Sequence, residues 1–246
     1  MQAATVRRSG LQTALDVVVA PKAAFSSLRE VPTWGWAFLI SSIIGMAAAL
    51  VIGPVVAHAL ALELPAKLAT NPNVIAMAAD KRDAFIAQQV SFSQIVAKFS
   101  FIFIPIGLAI GSAVQALIML IANAIGKGDG TFKKFWATAV NGGVVGTGLA
   151  SVALAIIVLL RGADAFTTSA EITSAVPGLG MLVPAGAKAA AAFFGPMNIF
   201  AIWNMVLLVV GMTIVARIPR PTAIVTVVVI LLCTGILPLF GALAQK

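Results

Sequence analysis

Five stretches of this chain run for 25 residues or more without an Asp, Glu, Lys or Arg: 32 residues between Glu30 and Glu63, 28 between Lys98 and Lys127, 26 between Lys134 and Arg161, 28 between Lys188 and Arg217, and 25 between Arg220 and Lys246. A helix rises about 1.5 Å per residue, so about 20 apolar residues cross a hydrocarbon core about 30 Å thick. Each of the five runs is long enough. The next longest, 16 residues between Glu171 and Lys188, is interrupted by Pro177, Gly178, Gly180 and Pro184 and reads as a loop or interfacial segment. Composition agrees: 61% of residues are hydrophobic, 10% are charged and the mean hydropathy is +1.07, whereas a soluble domain carries about 25% charged residues. A water-soluble globule is excluded, and the expected fold is all-α, an integral membrane bundle of five transmembrane helices.

Flanking residues narrow the spans. Trp34 and Trp36 suit the headgroup level at the start of the first, which continues to about Ala57 with Pro54 as a kink site. The others read as Phe99 to Ala124, Phe135 to Leu160, Met197 to Val215 and Thr222 to Leu243, and the five-residue connection Arg217 to Pro221 makes the last two a tight antiparallel pair. With five spans the termini lie on opposite sides. The N-terminal side collects nine Lys and Arg and the other side seven, which favours a cytoplasmic N-terminus and an outside C-terminus. Residues 1–32 are expected to form a cytoplasmic amphipathic segment and residues 33–246 the membrane domain. Arg7 and Arg8 precede an apolar stretch, but Gln12 and Asp16 break it, against a cleaved signal peptide.

Two short stretches of the N-terminal segment have helical faces. Leu11, Ala14, Leu15 and Val18 share one, with Thr13 and Asp16 turned away; Pro21, Ala24, Phe25 and Leu28 share the other, with Pro21 suited to a first helical turn. With Arg29 nearby, these interfacial helices are expected in the cytoplasmic headgroup layer, apolar face toward lipid or a partner, or else packed on the ends of the bundle. Farther along, Asp80 to Asp83 mark a solvated helix start before Phe85, Phe92, Val96 and Phe99, an extension of the second span over the membrane surface.

Catalytic chemistry has little to work with: one His (His58), one Cys (Cys233), no Tyr and eight acids. No enzymatic activity, metal or cofactor is expected. The net charge of +8 belongs beside anionic headgroups rather than on nucleic acid. Gly126-Lys127-Gly128-Asp129-Gly130-Thr131 is glycine-rich but lacks the order of a phosphate loop, and reads as a turn between spans. Transporters generally place ionisable groups at membrane depth, and these five spans hold none; their polar groups are neutral, Gln115 and Asn204 near mid-span and Asn123, Asn141 and Asn198 nearer the ends. Such amides usually bond helices together. Gly107 and Gly111 form a G-x-x-x-G, and Gly142, Gly146 and Ala150 repeat that spacing, as helix-packing positions.

The stretch from Asp16 to Trp34, with Pro21, Phe25, Leu28 and Pro32, resembles the entry segment of prokaryotic members of the Yip family, five-span membrane proteins whose eukaryotic relatives interact with Rab-type GTPases. Gly128 to Phe132 resembles the turn before the family's third span, and Phe200 to Gly211, including Trp203 and Asn204, its fourth. The resemblance implies a cytoplasmic N-terminus, location in a prokaryotic inner membrane, and a non-enzymatic scaffold or adaptor that organises membrane or a membrane complex. Its partners would be lipids and a membrane protein or a second copy. The eukaryotic Asp-Leu-Tyr-Gly-Pro motif is reduced here to Asp16 and Pro21, so a Rab-type partner is not expected. Candidate membrane or partner contacts are Leu15, Val18, Pro21, Phe25, Leu28, Pro32 and Trp34. Candidate packing positions are Gly107, Gly111, Gln115, Gly142, Gly146, Trp203, Asn204 and Gly211. The rival expectation is a transporter or channel, or a subunit of one, with Gln115, Asn141 and Asn204 lining a polar path.

Overall fold

A computed structural model describes residues 8–184 and 186–243, and among them the only β-type bridge is an isolated antiparallel one between Gly178 and Asn198. In chain order the helices are α1 (Gly10–Val19), α2 (Pro21–Glu30), α3 (Gly35–Ala69), α4 (Pro72–Ile75), α5 (Ala79–Phe99), α6 (Ile104–Ile125), α7 (Phe132–Gly143), α8 (Ala150–Arg161), α9 (Ser169–Thr173), α10 (Lys188–Phe194), α11 (Ile199–Val215) and α12 (Arg220–Leu243). A 3-10 turn, Ser100–Phe103, joins α5 to α6, and a π-helical segment, Val144–Leu149, joins α7 to α8.

Among the described residues, four helices are long and apolar enough to cross a membrane: Gly35–Ala69, Ala79–Ile125, Phe132–Arg161 and Arg220–Phe240. The expected fourth span falls short. The helix there is α11, 17 residues or about 25 Å, because residues 197–199 are drawn into backbone pairing instead: Leu179 N–H donates to the Met197 carbonyl at 3.0 Å and Ile199 N–H to the Pro177 carbonyl at 2.9 Å. At its other end Arg217 takes φ of 52°, a left-handed conformation that stops the helix.

The chain divides into two compact units. The first comprises Met1–Ile44, Pro105–Ala150 and Phe200–Cys233. Its core joins Ala116, Met119 and Ala122 of α6, Phe135 and Ala139 of α7, Met205, Leu208 and Met212 of α11, and Ala223, Val227 and Ile230 of α12. On α6 the buried positions are Leu108, Ser112, Ala116, Met119 and Ala122, while Ile106, Ile110, Val114, Leu117 and Ile121 face outward. Small inside and large outside suits a lipid solvent, where close helix contact rather than water exclusion holds helices together. Cys233 is exposed.

The second unit comprises Gly45–Ile104, Ser151–Ile199 and Thr234–Lys246. Val55, Ala59, Val158, Phe166 and Ile172 make its core, and the Arg161 guanidinium lies 4.7 Å over the Phe166 ring. A Cβ on Gly53 would stand 2.9 Å from the Ala97 carbonyl, so α3 and α5 meet backbone to backbone there. Glu63 accepts from Ser169 N–H at 2.9 Å and pairs with Lys67, and His58 Nε2 is 3.7 Å from Asp164. The start of α9 is a capping box: Thr168 accepts from Glu171 N–H, and the Glu171 carboxylate accepts from Thr167 N–H at 2.7 Å and from Thr168 N–H. The Thr167 amide, ahead of its hydroxyl and the Thr168 amide, holds the Glu171 carboxyl below its ordinary value despite some desolvation. A depressed carboxylate contributes above its unfolded pKa and stops contributing as pH falls through the folded one. Amide protection of α9 should therefore be intact at neutral pH and fall as pH drops below the ordinary glutamate range, read by hydrogen exchange corrected for intrinsic rates.

Candidate functional site

The N-terminal helices are docked on the first unit. Ser9 caps α1, accepting from Gln12 N–H at 3.1 Å, and Asp16 pairs with Arg8. Ala20 N–H donates to the Asp16 carbonyl at 2.7 Å and ends α1; Pro21 then opens α2, where its missing N–H costs nothing. Ala24, Phe25 and Leu28, spaced by one and three residues, bury one side of α2 against Ala137 of α7, Val145, and Leu207 and Val215 of α11. Gly211 makes room for this: a side chain there would collide with Thr138, and its Cβ would stand 3.1 Å from the Phe25 ring.

Of the two alternatives for α2, Phe25 and Leu28 follow the second. Both are fully buried in the bundle and neither is available to lipid or a partner. Thr13 is likewise turned inward, beside Ala14 and Val17, because its hydroxyl donates to the Ser9 carbonyl at 3.0 Å and no longer needs water. Val18, Pro21 and Pro32 are half-buried. What α1 leaves outside is a stripe at helical spacing, Leu11 (39% exposed), Leu15 (55%) and Val19 (78%). Trp34 stacks edge-on against Trp136 at 5.9 Å and against Phe38 at 6.2 Å while remaining part exposed, and Trp36 is half exposed close to Gly10.

The glycine-rich turn is fastened to the same end. Asn123 Oδ1 accepts from Gly130 N–H at 3.0 Å, Gly128 N–H donates to the Asn123 carbonyl at 3.0 Å, and Asp129 N–H donates to the Ala216 carbonyl at 2.9 Å. Amides so engaged cannot cradle a phosphate. The Asp129 carboxylate lies 3.6 Å from Arg217 Nε and 3.9 Å from Arg29, exposed pairs that orient the turn more than they stabilise it. Asn123 could have been singled out from sequence only as an amide near a helix end; its partners are set by the tertiary turn.

Deeper in the first unit is a polar patch. Asn141, 1% exposed, donates through Nδ2 to the Thr33 carbonyl at 2.9 Å and to the Ala137 carbonyl at 2.8 Å, fastening the segment before α3 to α7. Asn204 of α11 packs against two glycines: a side chain on Gly142 would overlap its Oδ1, and a Cβ on Gly146 would stand 2.8 Å from its Nδ2. Gly146 lies within the π-helical segment, a widened turn of the kind that often interrupts an α-helix at a functional position. Asn204 Oδ1 and the hydroxyls of Ser41 and Ser42 are buried without a hydrogen-bond partner.

The remaining packing expectations divide. Gly211, Gly142 and Gly146 do sit at close helix approaches; Gly107 and Gly111 do not, being exposed with open space where a Cβ would project. Trp203 is 45% exposed rather than packed, since it lies on the side of α11 opposite Met205 and Leu208, and Gln115 is half-buried. Among the described residues no three His, Cys, Asp or Glu side chains are grouped where they could hold a metal ion. No family model, curated protein or solved structure matches this chain.

Proposed function

We propose that this chain is a non-catalytic integral membrane scaffold or adaptor of the Yip kind, with its N-terminus in the cytoplasm of a prokaryotic cell and α11 completing a five-span bundle. One observation carries the reading: α1 is held by buried Ala14 and Val17 and by the docked α2, yet presents Leu11, Leu15 and Val19 outward. Exposed apolar side chains on a held helix mark a surface for lipid or another protein. Asp at all three positions should reduce cross-linked partner recovery from native membrane, or deformation of vesicles containing the protein, without moving the thermal unfolding midpoint. No change in either assay sinks the proposal.

The path reading has one observation in its favour, the unpartnered Asn204 Oδ1 beside the π-helical segment. Against it, Asn141 is committed to two backbone carbonyls. Solute flux through proteoliposomes that disappears in Asn204→Leu would favour the path over the scaffold.

A further inference from the structure

A groove of about 470 Å³ runs along the outer side of α11 in the first unit, within the range of small-ligand sites. Its floor is Val206, Val209, Val210, Thr213 and Ile214, the positions i, i+3, i+4, i+7 and i+8 of one helical face. Ile224 of α12 continues the wall, and two cations border it, Lys22 from the first turn of α2 and Arg220 from the first residue of α12. Thr213 donates its hydroxyl to the Val210 carbonyl at 2.9 Å, so it offers the groove lone pairs and a methyl rather than a free donor. No acid lines the groove. Of the first unit's acids, Asp16 pairs with Arg8 and Asp129 with Arg29 and Arg217, and Glu30, at the last position of α2, does not line the groove.

We infer that this groove binds one anionic glycerophospholipid, its phosphate between Lys22 and Arg220 and an acyl chain along Val206 to Ile214. The dimensions and the charge both select that occupant. From Val206 to Ile214 the helix rises about 12 Å, close to the roughly 15 Å depth of one leaflet's hydrocarbon. Arg220 follows just past the C-terminal end of α11, so the apolar trough is bordered by positive charge there, and Lys22 adds a second cation to its lining. A positive α12 N-terminus at Arg220 adds to the same field. A second copy is the poorer fit, since a chain of net charge +8 would bring cations to cations. The inference requires residence in a membrane but not the scaffold role.

The test uses the full chain in nanodiscs of mixed phosphatidylglycerol and phosphatidylcholine, with retained lipid counted by native mass spectrometry after release into detergent. Phosphatidylglycerol should be retained selectively. Lys22→Gln with Arg220→Gln, both exposed side chains, should weaken that retention about 30-fold, at about five-fold for each cation. Val210→Trp, which fills the trough and leaves the cations, should also lower retention, and unchanged thermal unfolding verifies that both variants fold. Glycerol phosphate at matched concentration should not displace the lipid. Equal retention of the two lipids, full retention by the Gln variant, displacement by glycerol phosphate alone, or a dimer that Val210→Trp dissolves would each overturn the inference. These readouts are independent of Leu11, Leu15 and Val19, so failure here and failure of the scaffold reading are separately visible.

Discussion

Phe25→Asp should detach α2 from the bundle. The ring is fully buried against Ala137, Leu207 and Val215, and sits over Gly211 where no side chain separates it from the α11 backbone. Truncating a buried Phe costs about 3–5 kcal/mol, and a carboxylate in the same place adds the penalty of an unpaired charge. Since α2 makes few other buried contacts, Ala24 and Leu28, the loss should be enough to release the helix. A cysteine at Ala24 in a Cys233→Ser background should be protected from a polar maleimide in the parent and labelled readily in Phe25→Asp. Leu15→Asp, at an exposed position of α1, should leave that protection intact. Equal labelling of parent and Phe25→Asp would show that the docking does not hold. Sequence alone suggests the opposite for this residue, loss of a partner without loss of structure; burial makes structure the first casualty.

Gly142→Leu should destabilise the first unit by about 1–3 kcal/mol or more, seen as a lowered thermal midpoint in detergent. The new side chain must displace Asn204 and press on Leu208, whose Cδ2 lies 3.6 Å from the Cβ position. Both belong to α11, so α7 and α11 cannot keep their separation. Gly111→Leu is the internal control, since nothing stands within 4 Å of its Cβ position and the midpoint should barely move. Combining Gly142→Leu with Asn204→Ala should recover part of the loss, because contacting residues couple while distant ones add. Full additivity in that double variant, or an equal effect at Gly111, would mean that Gly142 is not where these helices meet.

Much of the fold is legible in the amino-acid sequence. Uncharged length is enough to place apolar helices, because lipid cannot hydrogen-bond a backbone, and outside a closed β-barrel a crossing segment must bond its own backbone as a helix. The turn at Gly126 to Thr131, the helical N-terminal stretches and the start of α5 near Asp80 are readable for related reasons, each being a local matter of glycine, proline or charge. The G-x-x-x-G spacing also identifies real positions, but without saying which are used. Gly142 and Gly146 face Asn204, whereas Gly107 and Gly111 face outward, and both pairs have the same local pattern.

What the sequence by itself determined, then, was periodicity and solvent: where the long apolar helices run, four of them long and apolar enough to cross a membrane. Which side of each helix turns inward was decided by the tertiary structure alone. In water an apolar stripe announces the inner face, but a lipid solvent removes that contrast, so Phe25 and Leu15 look alike in sequence while one is buried and the other exposed. The length of α11 was settled the same way, by the pairing of residues 177–179 with 197–199, a contact between segments that no apolar run encodes.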